Sequence, residues 1–74
     1  MALYELKAEI SGVIRQLDAA VGDRVDLDGQ VMIIESMKME IPVLSPRRGL
    51  IRAFRAGEGD SVQEGQVLVT LEIE

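Results

Sequence analysis

Lys38 stands in the run Glu35-Ser36-Met37-Lys38-Met39-Glu40, at almost the middle of a 74-residue chain. A lysine amine is a compact nucleophile that can be acylated, whereas an arginine guanidinium in practice cannot. Only two of the eight basic residues are lysines, Lys7 and Lys38. Arginine-rich usage and a need to present one amine both account for that. Methionines on either side are less ordinary. They are polarizable and adaptable, and where exposed they mark contact surfaces. The alternative is that both fold back onto the body of the protein, and local physics leaves the two readings open. Other chemistry is thinly supplied. With no Cys, disulfides and thiolate metal sites are excluded. With no His, the usual zinc ligand and the usual base for a serine nucleophile are missing. Asp26 and Asp28 lack the surroundings of a calcium loop. Gly57-Glu58-Gly59 lacks the third glycine of a phosphate cradle, and Glu58 and Asp60 would repel phosphate, so it reads as a turn. Asp23 and Asp60, each after a glycine, read as turn residues bonded to nearby backbone.

The elements that must position Lys38 are written twice. Gly12-Val13-Ile14-Arg15, Gly22-Asp23-Arg24-Val25 and Gly29-Gln30-Val31 recur as Gly49-Leu50-Ile51-Arg52, Gly59-Asp60-Ser61-Val62 and Gly65-Gln66-Val67. The spacing between copies is 37 residues in the first two blocks and 36 in the third, which implies one residue fewer in the last turn. Two equivalent halves related by a pseudo-two-fold axis follow. Leu6, Ala8 and Ile10 alternate with Glu5, Lys7 and Glu9, the period of a half-buried strand, and Val67, Val69, Leu71 and Ile73 share one face. Val, Ile and Leu supply 23 residues against one Phe, one Tyr and no Trp, a balance that favours strands. A helix over 13–21 competes locally, but its counterpart in the second copy breaks the spacing. The expectation is one all-β domain over 1–74, with two sheets closing on each other because neither half can bury its apolar face alone. The segment without a copy, around Lys38, then lies near the dyad as a hairpin between Val31–Ser36 and Met39–Leu44. The termini belong at the opposite end. No Asn-Gly or Asp-Gly marks that turn, so the symmetry alone places it.

With these residues in view, Glu35-Ser36-Met37-Lys38-Met39 resembles the biotin attachment motif, and the paired Gly-Asp-x-Val and Gly-Gln-Val blocks resemble the rest of the biotinyl/lipoyl attachment family. The resemblance spans residues 10–73 and is similar in extent to the small free-standing members of the family. It implies a flattened barrel, or sandwich, of two four-stranded antiparallel sheets. It also implies biotin amide-linked to Lys38 by a biotin protein ligase. Met37 and Met39 would form the apolar contact beside the arm, with Glu35, Ser36 and Glu40 framing it for recognition. Ser36 stands where the family usually has Ala, one small residue for another. Segment 12–22 is too short for the protruding thumb of acetyl-CoA carboxylase carriers, and no proline-rich linker is visible. Lipoyl domains share the fold but typically place Asp before the lysine and Ala after it, so Met37 and Met39 favour biotin, with lipoate as the alternative. On this reading the chain is a carrier rather than an enzyme, passing a carboxyl group between biotin carboxylase and carboxyltransferase sites; an unmodified assembly module is the remaining alternative.

Charge and hydropathy bound the partners. A net charge of −5 argues against nucleic acid, whose phosphates need a basic face. The longest aliphatic run, Val31–Ile34, is too short to cross a bilayer, and Glu5, Lys7 and Glu9 interrupt any early apolar region. A cytoplasmic carrier without membrane contact is expected. Arg47, Arg48, Arg52 and Arg55 make the second half more basic and read either as a solvated face or as a docking patch.

Overall fold

The computed structural model describes residues 2–73. Eight strands follow in order: β1 (Ala2–Lys7), β2 (Gly12–Leu17), β3 (Arg24–Val25), β4 (Gln30–Ser36), β5 (Met39–Leu44), β6 (Gly49–Phe54), β7 (Ser61–Val62) and β8 (Val67–Ile73). They form two four-stranded antiparallel sheets, ordered β1-β8-β6-β3 and β5-β4-β2-β7. The described residues contain no helix, so 13–17 is a strand and the helical spacing there is incidental. Each sheet mixes strands from both halves, and Ile14, Val31, Met32, Ile34, Ile51, Leu68, Val69 and Leu71 fill the space between them with no exposure.

The two-fold is visible in the pairing itself. Ile14 faces Ile34 and Leu17 faces Met32 across β2 and β4; Ile51 faces Leu71 and Phe54 faces Val69 across β6 and β8. Both pairings shift register by one residue at the same place, beside Arg15 and beside Arg52. The turn aspartates match as well: Ala20 N–H donates to Asp23 Oδ2 at 2.9 Å, and Gly57 N–H donates to Asp60 Oδ2 at 2.8 Å. This is the turn role that the sequence indicates for both aspartates.

The third block corrects the sequence reading. Asp28 N–H donates to Ser45 O and Ser45 N–H to Gly29 O, while Gly65 N–H donates to Ala8 O and Ala8 N–H to Gln66 O. Asp28 is therefore the counterpart of Gly65, and Gly29 of Gln66. The spacing is 37 residues throughout and no residue is lost from the last turn. Aligning Gly-Gln-Val on Gly-Gln-Val slips the frame by one. What the two turns share is a left-handed backbone, with φ of 65° at Asp28 and 88° at Gly65. Glycine and aspartate both tolerate it, so the residue type differs where the conformation does not.

Alternation holds where expected in β1, with Leu6 and Ala8 buried and Glu5, Lys7 and Glu9 exposed. In β8 Val69, Leu71 and Ile73 are buried as expected, but Leu68 and Thr70, beside and between them, are buried too. A register shift opposite Leu6 and Lys7 turns Leu68 inward and leaves Val67 half-buried, so Leu68 takes the core place assigned to Val67. Val31 does the same in β4.

The shared left-handed turn yields a paired prediction. Asp28→Gly should stabilise the fold by about 0.5–1 kcal/mol, because the glycine removes the Cβ penalty there. A Cβ on Gly65 would meet nothing within 4 Å. Gly65→Ala should nonetheless destabilise by about 1–2 kcal/mol through the backbone alone. Urea unfolding of both variants checks this; equal midpoints for Gly65→Ala and the parent chain would contradict the assigned equivalence.

Candidate functional site

β4 and β5 are joined by Met37 and Lys38 alone, after the closing pair Ser36 and Met39. Both joining residues have positive φ, 52° and 64°, the signature of a type I′ turn. That turn continues the right-handed twist of the strands and usually recruits Asn-Gly. Holding two side-chain-bearing residues in the left-handed region costs of order 1 kcal/mol each. The flanking sheet sustains it: β4 lies between β5 and β2, with Val31, Met32 and Ile34 fully buried.

The turn aims the lysine outward. Lys38 is exposed, and no ion pair among the described residues holds its ammonium. Met37 is 88% exposed and Met39 59%, so neither folds back onto the barrel, and the sequence alternative of core methionines fails. Ser36 is buried, which explains the small residue there; its counterpart in the other half is Ile73, equally buried. Glu35 and Glu40 face each other across the hairpin, an unfavourable pairing of like charges. The Arg15 guanidinium relieves it by binding Glu35 Oε1 from the register shift in β2. Glu40 is exposed. The six residues singled out in the sequence thus gather at one tip, five of them at its surface or edge and Ser36 beneath.

Arg15 is the residue that sequence reasoning missed. Its signal was available, because Arg15 with Glu35 recurs as Arg52 with Glu72, whose Nη1 and Oε1 are 3.2 Å apart. Gly12 is the other. A Cβ there would collide with the Glu35 carbonyl oxygen and Ile34 Cγ2, so only glycine lets β2 approach the strand that carries the tip. The remaining arginines do not join the site: Arg52 bonds Glu72, Arg55 donates to Thr70 Oγ1 at 3.0 Å, and Arg48 lies 3.8 Å from Asp26 in solvent. Arg47 and Arg48 precede β6, whose first residue pairs with Ile73, so they lie toward the termini. β1 runs from Ala2, paired with Ile73, to Lys7, and Ile10 then lines one cleft with Ile34 and Ile41 below the tip. The tip and the Ala2–Ile73 pair therefore occupy opposite ends of a body 36 Å long.

An exposed primary amine on a rigid two-residue turn, with apolar neighbours and no resident counter-ion, fits a covalently attached acyl group. Nothing at the tip resembles a catalytic cleft. No group of His, Cys, Asp and Glu among the described residues is arranged to hold a metal ion.

Comparison with known proteins agrees with this geometry. The family model for biotin/lipoyl attachment, described as biotin-requiring enzyme, matches residues 5–71. A biotin/lipoyl attachment protein of Bacillus subtilis is 38% identical over 63 residues, covering 85% of this chain and 86% of that protein. A biotinylated protein TB7.3 homolog of Mycobacterium leprae is 30% identical over 67 residues, covering 90% and 94%. Among solved structures, the urea carboxylase of Kluyveromyces lactis superposes with a TM-score of 0.91 at 30% identity, over 97% of this chain and 6% of that one. The lipoyl domain of the Azotobacter vinelandii 2-oxoglutarate dehydrogenase complex superposes with a TM-score of 0.72 at 29% identity, over 84% and 78%. The chain resembles carrier domains, not catalytic ones, and it belongs to the biotin/lipoyl attachment family, whose members carry covalently attached biotin or lipoate.

Proposed function

We propose that this chain is a biotin carboxyl carrier modified on Lys38. The observation that carries the reading is the tip: an exposed lysine on the two-residue turn, between two exposed methionines rather than the Asp and Ala of the lipoyl pattern. When bound, biotin supplies the nitrogen that holds a carboxyl group in transit from a biotin carboxylase to a carboxyltransferase. The chain's own contribution is placement. Lys38 provides the amine, and conversion to an amide removes its charge. Met37 and Met39 offer apolar surface to the sites the arm must enter. Glu40 and the Glu35–Arg15 pair frame the turn for a biotin protein ligase. Attachment to a docking module raises the local concentration of the carried group, to about millimolar for a short tether. A cytoplasmic location belongs to the same proposal.

The lipoyl-domain superposition supports a second reading, lipoate on the same lysine. Co-expression with a biotin ligase and, separately, a lipoate ligase, followed by intact mass and peptide mapping, distinguishes them. The parent chain should carry biotin on Lys38. Lys38→Arg should abolish loading without unfolding the domain, and Lys7→Arg should leave it intact. Met37→Asp with Met39→Ala should lower biotin loading or shift modification toward lipoate. Biotin on Lys7, or robust lipoylation with no biotin on the parent chain, would overturn the assignment.

A further inference from the structure

The two-fold gives each surface feature of one half a counterpart in the other. A chemical difference between counterparts marks where one end has a task the other lacks. Two clefts form such a pair, each where the edge strand of one sheet faces the segment that follows the edge strand of the other. One, of about 310 Å³, lies on the Lys38 side and is lined by Ile10, Ile34, Ile41, Pro42 and Val43, with Lys7 and Glu9 among its polar lining. Its counterpart, of about 380 Å³, is lined by Tyr4, Glu5, Lys7 and Pro46 among others. The 37-residue relation turns Ile41 into Tyr4 and Pro42 into Glu5. The two clefts share Leu6, Lys7, Glu9 and Leu44, and they differ where the one toward the tip adds Ile10, Ile41, Pro42 and Val43 and the other Tyr4, Glu5 and Pro46. Ile10 and Val43 pack against the core with one side, yet Ile10, Ile41 and Val43 remain only half-buried and Pro42 and Leu44 exposed, so the cleft keeps an apolar surface that the core does not cover.

Resting on the carrier reading, we propose that the biotinyl group on Lys38 docks back into this cleft when no partner enzyme holds it. Met39, Ile41 and Val43 share one face of β5 and form an apolar path from the turn to the cleft. Ile41 lies three residues along the strand from Lys38, about 10 Å at the usual rise. An extended lysyl side chain with its acyl chain is longer than that. The cleft volume is at the lower end of small-ligand sites, about 300–1,000 Å³, and suits one fused ring system. The hydrocarbon face of the ring meets Ile10, Ile41 and Pro42. The ureido edge has N–H donors for the Glu9 carboxylate and a carbonyl acceptor for the Lys7 ammonium.

Methyl NMR of the unmodified and biotinylated chain tests this, with loading at Lys38 first verified by mass and peptide mapping. The expected result is shifts confined to the methyls of Ile10, Ile41, Val43, Leu44 and Met39, with cross-relaxation from the biotin ring to Ile10 and Ile41. Leu27, toward the termini, should not move. Ile10→Gln lies outside the strands and should abolish the cross-relaxation and let avidin capture the biotin several-fold faster, in proportion to the undocked fraction. A chain loaded on Lys38 whose cleft methyls match the unmodified chain would overturn the docking while leaving the carrier reading intact. Failure of the ligase to load Lys38 would overturn both.

Discussion

Ile34 and Leu71 occupy equivalent places on the inner strands β4 and β8, and both have no exposure. Each is covered only because its sheet borrows strands: β8 lies between β1 and β6, and β4 between β5 and β2, so first-half and second-half strands interlace in both sheets. Burying such a side chain is worth about 1.5–3 kcal/mol, and that gain exists only when both halves are in place. The tip inherits its rigidity from this constraint. Residues 37 and 38 are the covalent link between two halves that are already held together by their cores. At the equivalent end of the other half, Ala2 and Ile73 pair across β1 and β8.

The turn places two residues in the left-handed region, and the interlaced sheet beneath holds them there. The side chain of Lys38 has solvent around it and no ion pair among the described residues. The Arg15–Glu35 contact and its counterpart Arg52–Glu72 fasten the inner strands at both ends, so Glu35 supports the hairpin through β2 as well as standing beside the lysine. Glu40, by contrast, occupies a place whose counterpart is Leu3. A carboxylate there belongs to the tip rather than to the shared framework.

Much of this was readable from residue order. The repeat, the strand alternation at Leu6 and Ala8, and the lysine at the midpoint place Lys38 at an exposed tip before any coordinates are considered. The frame of the third block was not readable, because matching residue names hid a shared left-handed conformation at Asp28 and Gly65. The inward turn of Leu68 was not readable either, since a register shift changes facing without changing composition. The type I′ turn carries none of the residues that usually announce it; tertiary packing imposes it on Met37 and Lys38. The apolar cleft was hidden because Ile10 and Ile41 are distant in sequence, and they meet only once β1 and β5 become edge strands.

On the proposed reading, the folded two-residue turn, and not merely the order of residues around the lysine, makes Lys38 the attachment point. Insertion of one glycine between Met37 and Lys38 keeps every side chain of the motif and breaks the turn. The rate of biotin transfer to this variant by a biotin ligase, with the fold verified by the dispersion of its amide NMR spectrum, tests the claim directly. The predicted result is a folded domain whose loading slows by about tenfold or more, as expected when a reacting group is misplaced by an ångström or so. Loading at the parent rate in a folded domain would contradict it.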